Sequence, residues 1–253
     1  MSKKGWFTYW FNSSYYHALY QHRDDSEALQ FIHNLLAYLK PVPHATMLDI
    51  ACGKGRHSKA LFDAGFDVVG IDLSPASIEA ASSMQTTGLT FSCHDMRETF
   101  KQNYFDYAFN FFTSFGYFNS DEEHQLAILA MSDNLKEGGT LVIDYLNIGV
   151  VDPTLDVATE NQIDTFIFQT KKWQDHLFLY KEIKVQDAFS HEELGIFEEK
   201  VRKYSLDDFR GFMQHAGLNI VATFGNYQLD AYIPESAERL IIVAQKHSNS
   251  QYL

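Results

Sequence analysis

The chain has little cysteine, little positive charge and no long apolar run. Only Cys52 and Cys93 occur in 253 residues, too few for the disulfide scaffold of a small secreted domain. Both fall at the ends of expected strands, as buried thiols of a protein in a reducing, cytoplasmic compartment. Lys and Arg number 20 against 33 Asp and Glu, a formal net charge of −13. A nucleic-acid binder needs a basic patch to displace counterions from phosphates. The nearest stretch, Glu199-Lys200-Val201-Arg202-Lys203, is short and mixed in sign, so no nucleic-acid partner is expected. No apolar run approaches the ~20 residues that a membrane span requires, so no membrane partner is expected either. The N-terminus Met1-Ser2-Lys3-Lys4-Gly5-Trp6 lacks the apolar core and small-residue cleavage site of a signal peptide. The 11 histidines show no H-x-x-x-H or Cys-His grouping at zinc spacing. Asp144 and Asn147 have the carboxylate–amide spacing of a magnesium site, but a third oxygen ligand is not evident, so no metal is expected.

What is present is a globular composition, 45% hydrophobic, and one informative corner. Residues 46–50 read as a buried strand that runs through Asp49 into Ala51-Cys52-Gly53-Lys54-Gly55, and residues 56–64 then open a helix. Glycine lets the backbone turn tightly and approach a ligand, because no Cβ stands in the way. The helix N-terminus offers unpaired N–H groups and a partial positive charge. Strand, glycine turn and helix make the nucleotide-binding corner of an open α/β sheet. A second apolar strand ends at Asp72, 17 residues after Gly55, where a carboxylate can accept both ribose hydroxyls. A dinucleotide-binding turn would carry a third glycine, but position 58 is Ser58. Its absence is expected to remove the close helix–strand packing of a pyrophosphate site.

Two more strand ends follow in order. Residues 90–96 read as a strand closing on Asp95-Met96, and residues 104–112 as a fourth that empties through Asn110-Phe111 into Thr113-Ser114-Phe115-Gly116-Tyr117-Phe118. With these motifs in this order, the chain resembles the class I S-adenosylmethionine-dependent methyltransferases, above all bacterial small-molecule members such as the amino-sugar N,N-dimethyltransferases. The resemblance implies S-adenosyl-L-methionine as cofactor and S-adenosyl-L-homocysteine as product. Asp49, Ala51, Cys52, Gly53 and Gly55 match the first motif, with Ala51 where many members have glycine. Asp72 with Leu73 matches the ribose site, and Asp95 with Met96 the adenine site. Asn110 and Phe111 belong to the fourth motif, which faces the methyl group. Tyr16 and Arg23 resemble an N-terminal Tyr…Arg segment that folds over the methionine end. Tyr117 stands where the amino-sugar enzymes carry a histidine. A phenol of pKa ~10 is a poor base at neutral pH, so Tyr117 is the candidate catalytic residue as an orienter of the acceptor, or else packs over the pocket.

The fold class this implies is α/β: a doubly wound, mostly parallel seven-stranded sheet of order 3-2-1-4-5-7-6 with the last strand antiparallel. Helices are expected over residues 24–39, 121–135 and 206–216. Three alternating segments, 165–169, 176–185 and 196–201, predict a small antiparallel insertion after strand 5, with a hairpin turn at residues 172–175. The division expected is a cofactor-binding Rossmann-like domain, residues 1–160 and 205–253 with an N-terminal helical lid, and the insertion at 161–204. The insertion's aromatic residues suit an acceptor wall, an interface with a second copy, or simply its own core. The functional expectation is methyl transfer to N or O of a small-molecule acceptor. A non-catalytic S-adenosylmethionine sensor and a nucleotide-dependent oxidoreductase are the alternatives.

Overall fold

In the computed structural model, which describes residues 6–20 and 25–247, the chain opens with α1 (Trp6–Phe11) and α2 (Ser14–Leu19). Ser13 caps α2 by accepting the Tyr16 N–H. Helix α3 (Asp25–Leu39) buries Ala28, Phe31, Ile32 and Leu35, the apolar stripe its spacing predicts. Strands and helices then alternate: β1 (Thr46–Ile50), α4 (Arg56–Asp63), β2 (Asp67–Asp72), α5 (Pro75–Ser82), β3 (Leu89–Cys93), β4 (Phe105–Asn110), α6 (Asp121–Asn134) and β5 (Leu135–Leu146). Four strands follow, β6 (Asp156–Ile163), β7 (Phe166–Gln174), β8 (Phe178–Asp187) and β9 (Glu193–Arg202). Helix α7 (Leu206–His215), β10 (Leu218–Phe224) and β11 (Arg239–Lys246) complete the chain. Among the described residues no helix is long and apolar enough to cross a membrane.

The chain divides into two compact units. One holds residues 24–115, 119–150 and 204–253. Its seven-stranded sheet has the order β3-β2-β1-β4-β5-β11-β10, which is the expected order. Neighbours from β3 to β5 are parallel, and β11 runs antiparallel to both β5 and β10. The central strands are apolar on both faces, as a covered parallel sheet requires: Met47, Leu48, Ala108, Phe109, Leu141, Val142, Ile241 and Ile242 are all buried. Each of these side chains larger than Ala108 contributes ~1.5–3 kcal/mol of burial. Helices start on readable signals: Ser120 accepts the Glu123 N–H at α6, and Ser205 with Asp208 forms a capping box at α7. Helix α5 was not anticipated, although Ser74 capping and Pro75 in the first turn mark it. Strand β5 begins at Leu135, directly after α6. Phe105 pairs with Leu135 and Tyr107 with Thr140, so residues 136–139 bulge out of the ladder.

The other unit holds residues 1–23, 116–118 and 151–203. Its antiparallel sheet has four strands in the order β6-β7-β8-β9, one more than the sequence pattern predicts. The extra strand, β6, is exposed along almost its whole length. It therefore carries no apolar alternation, and only its pairing with β7, Asp156 to Trp173 through Ile163 to Phe166, defines it. The turn between β7 and β8 lies at residues 175–177, later than the expected 172–175, and the Asp175 side chain accepts the Leu177 and Phe178 N–H groups. One face of this sheet packs Phe168, Ile183 and Val185 against Trp10 and the aromatic residues of α1 and α2. The Trp10 Nε1–H and the Tyr20 hydroxyl both donate to Glu199, each at 2.7 Å.

Candidate active site

The corner begins where β1 leaves the sheet. Ala51, Gly53 and Gly55 all have positive φ, at 60°, 56° and 83°, so three of five consecutive residues are left-handed. For Ala51 this conformation costs ~1–2 kcal/mol. Three hydrogen bonds hold the turn: the N–H of Cys52 donates to Ile71 O at 3.0 Å, that of Gly55 to Cys52 O at 3.0 Å, and that of Gly53 to Asp72 Oδ2 at 2.8 Å. The two glycines differ in what surrounds them. Among the described residues a Cβ on Gly53 would meet nothing within 4 Å, whereas one on Gly55 would lie 2.7 Å from the Phe91 ring. Gly53 therefore leaves an open cradle, and Gly55 is required by the packing of its own fold.

Asp72 closes the corner. Its Oδ1 accepts the Ser74 N–H at 2.8 Å while Oδ2 takes that of Gly53. Burial raises the Asp72 carboxyl above the usual carboxylate range, against the pull of these two N–H groups. Asp49 is fully buried and accepts the Ser58 hydroxyl at 2.6 Å, tying β1 to α4. Burial pushes its carboxyl up to about 7, against the Ser58 hydrogen bond and with help from the nearby Asp72 charge. Ser58 does not loosen the helix–strand packing, contrary to expectation. Its Oγ lies 2.8 Å from where a Cβ of Gly70 would stand, so the glycine that permits close approach is on β2 instead.

At the end of β3 the His94 N–H donates to Asp72 O at 2.9 Å, and the Cys93 thiol to Leu73 O at 3.5 Å. Cys52 is buried but Cys93 is exposed, a correction to the expectation of two buried thiols; both are free. The next residues are Asp95 and Met96, both half-buried. Asp95 is clasped by Arg97, whose Nη2 lies 2.6 Å from Oδ2 and whose Nε lies 3.1 Å from Oδ1. Burial alone would raise the Asp95 carboxyl, but the Arg97 hydrogen bonds and charge outweigh it and hold it below the usual range.

Strand β4 ends at Asn110, fully buried, whose Nδ2 donates to Ile50 O at 3.0 Å. Among the described residues its Oδ1 has no hydrogen-bond donor. Phe111 packs edge-on to Phe31 and stacks on Phe109. Phe112 and Thr113 then both adopt positive φ, 54° and 56°, a strained pair for residues with a Cβ. Buried Asp144 holds them: it accepts the Phe112 N–H at 2.8 Å, the Tyr227 hydroxyl at 3.1 Å and Arg239 Nε at 2.8 Å. Arg239 Nη2 also donates to Thr113 Oγ1 at 2.7 Å. Asn147 is equally committed, donating to the carbonyls of Pro234 and Ala237 and accepting from Gly149 and Tyr232. Among the described residues, no group of His, Cys, Asp and Glu could hold a metal ion.

The structure thus gathers Asp49, Ala51, Cys52, Gly53, Gly55, Asp72, Leu73, Asp95, Met96, Asn110 and Phe111 at the carboxyl ends of four neighbouring parallel strands. Tyr16 and Tyr117 lie in the other unit, where both pack edge-on to Phe11, at 5.0 and 5.2 Å. Arg23 lies outside the described residues. Sequence reasoning missed Arg97, two residues past the motif acid. It also missed the Asp144–Arg239 pair, whose members stand 95 residues apart with no local signal.

A family model described as a methyltransferase domain matches residues 41–208. The chain belongs to that family. This methyltransferase is 24% identical over 219 residues to the cypemycin N-terminal methyltransferase of a Streptomyces species, covering 82% of this chain and 86% of that one. It is 28% identical over 100 residues to the dTDP-3-amino-3,4,6-trideoxy-alpha-D-glucopyranose N,N-dimethyltransferase of Streptomyces venezuelae, covering 40% of this chain and 42% of that one. The crystal structure of an S-adenosylmethionine-dependent methyltransferase from Clostridium acetobutylicum shares the fold, with a TM-score of 0.77 at 19% identity over 92% of this chain and 96% of that one.

Proposed function

We propose that this methyltransferase uses S-adenosyl-L-methionine to methylate nitrogen or oxygen of a small-molecule acceptor, releasing S-adenosyl-L-homocysteine. The observation that carries the reading is the Gly53–Asp72 corner, an open glycine cradle locked to a ribose-spaced carboxylate. The residues present fit the cofactor in two further respects. Among the described residues nothing occupies the space where any other residue at position 53 would place a Cβ, and none donates to the buried Asn110 Oδ1, which suits an ammonium group. Asp72 spends one lone pair of each oxygen on backbone N–H groups and keeps the others for a pair of ribose hydroxyls. Asp95 serves the adenine amine, Met96 covers the ring, and Tyr16 and Arg23 serve the methionine carboxylate. Tyr117 orients the acceptor.

The bound cofactor supplies an electrophilic methyl on a sulfonium. The protein's part is to hold the acceptor lone pair in line and to exclude water. An amine acceptor must arrive neutral, and a hydroxyl must lose its proton during transfer. The −13 formal charge supports a small acceptor over a nucleic acid. Acceptor choice belongs to parts grafted on the fold, here the 161–204 insertion. The free thiols support a reducing cytoplasm, and a homodimer is the assembly proposed, checked by light scattering. The deciding experiment incubates the protein and S-adenosylmethionine with a panel of amines, amino sugars and hydroxyl compounds. S-adenosylhomocysteine formed with any acceptor supports the reading. Cofactor binding with no product across the panel would favour a sensor.

A further inference from the structure

Arg97 commits all three guanidinium nitrogens. Nη2 and Nε donate to Asp95 Oδ2 at 2.6 and 3.2 Å, Nε also reaches Oδ1 at 3.1 Å, and Nη1 meets Glu123 Oε1 at 2.5 Å. The Arg97 backbone N–H adds a further bond to Asp95 Oδ1 at 3.0 Å. Glu123 stands in the first turn of α6 and is itself fixed, because its Oε2 accepts the Asn119 N–H at 3.1 Å. The chain Asp95–Arg97–Glu123–Asn119 therefore ties the tip of β3 to the start of α6, and every member belongs to the same compact unit. The side chains of Asp95 and Arg97 are only 20% and 21% exposed.

This arrangement does more than pair two charges. A lone aspartate turns about two side-chain torsions, and its carboxylate presents lone pairs in whatever direction they allow. Here a guanidinium edge and a backbone N–H define the carboxylate plane, and Glu123 stops the guanidinium from swinging away. The lone pair left over, on Oδ2, points in a fixed direction, and an acceptor fixed in place discriminates far better than a mobile one. Adenine presents an amine donor at its exocyclic position. Hypoxanthine presents a carbonyl oxygen there, which faces an ionised carboxylate without a hydrogen to share.

We propose that Arg97 is a positioning residue that sets the purine selectivity of the cofactor site, by holding Asp95 as an oriented, ionised acceptor for the exocyclic amine. The inference rests on the reading of Asp95 as the adenine-binding acid. Arg97 does not touch the cofactor in this account. It acts through Asp95, and Glu123 acts through Arg97.

The test is calorimetric binding of S-adenosylhomocysteine and S-inosylhomocysteine to the full chain, in the parent protein and in the Arg97→Ala and Arg97→Lys variants, with far-UV circular dichroism to establish folding. The parent should prefer the adenine compound by about tenfold or more, the usual consequence of one unmatched hydrogen bond to a charged group. In Arg97→Ala the preference should collapse to about threefold or less, through weaker adenine binding and not tighter inosine binding. Arg97→Lys keeps the charge but loses the planar fork, and should fall between the two. Should Arg97→Ala not fold, the lysine variant decides. A folded variant that keeps the parental ratio, or that weakens both compounds equally, overturns the proposal and leaves Arg97 a structural strut. A parent protein with no preference overturns the Asp95 reading itself, and the proposal falls with it.

Discussion

The backbone N–H of Gly53 meets Asp72 Oδ2 at 2.8 Å, so the turn after β1 and the acid ending β2 form one rigid corner. Their coupling means that neither residue can be altered without disturbing the other's role. Asp72→Ala removes an acceptor for the ribose and also frees the Gly53 and Ser74 N–H groups. We expect a loss of ~1.5–3 kcal/mol in S-adenosylhomocysteine binding, read by calorimetry. Unchanged affinity would remove Asp72 from the cofactor site.

The two glycines of the turn should fail in different ways. Gly53→Val points its side chain into space where no described residue comes within 4 Å, so the variant should fold, with a modest left-handed strain of ~1–2 kcal/mol, and lose cofactor binding. Gly55→Ala drives a Cβ to 2.7 Å from the Phe91 ring at φ 83°, and should lower global stability by roughly 2–4 kcal/mol. Denaturant midpoints and calorimetry separate the two effects. A Gly53→Val protein that folds and still binds contradicts the cradle.

Asp49 gives the fold a specific pH response. Its carboxyl ionises near the ordinary carboxylate value of 3.8 when unfolded but at about 7 when buried beside Ser58. The unfolded chain therefore releases this proton first. The stabilisation is full below the unfolded pKa, declines as pH rises toward 7, and is gone above it. Stability measured by urea denaturation should fall between pH 5 and pH 8 by an amount of the order of a few kcal/mol. Asp49→Asn should flatten that part of the profile. A parent and variant with parallel profiles would show that Asp49 ionises normally.

The Asp144–Arg239 pair holds the strained residues after β4. Phe112 and Thr113 store roughly 1–3 kcal/mol each in their positive φ, and Asp144 with Arg239 supplies the bonds that keep them there. Asp144→Ala leaves the Arg239 guanidinium without its buried counter-ion and should cost about 3–5 kcal/mol in unfolding experiments. Arg239→Lys, which cannot bridge Asp144 and Thr113 with a planar fork, should lower kcat more than it weakens cofactor binding. An equal effect on both would place the strained turn outside the chemistry.

How much of this was legible in the sequence depended on how local the signal was. The glycine turn, Asp72 and the Asp95-Met96 end could be read because each is a short run following an apolar strand, and the sheet order followed from the family resemblance that these runs carry. Helix α5 carried a Ser-Pro start that went unread. Strand β6 could not be read, since an exposed edge strand buries nothing and so has no alternation to display. Ser58 misled: the missing third glycine suggested looser packing, yet Gly70 on the facing strand supplies the space. Cys93 misled for a similar reason, because a strand end alone does not decide which face is covered. The clasp of Arg97 on Asp95 and the link from Asp144 to Arg239 are tertiary facts, made by the fold and not by any pattern of neighbours.

The central claim is that the Gly53–Asp72 corner binds S-adenosylmethionine, and one titration tests it most directly. Purified, cofactor-stripped protein is titrated calorimetrically with S-adenosylhomocysteine and, in parallel, with NAD. The account predicts micromolar binding of the first and none of the second. Binding of NAD, or no heat with S-adenosylhomocysteine from a folded sample, would contradict it.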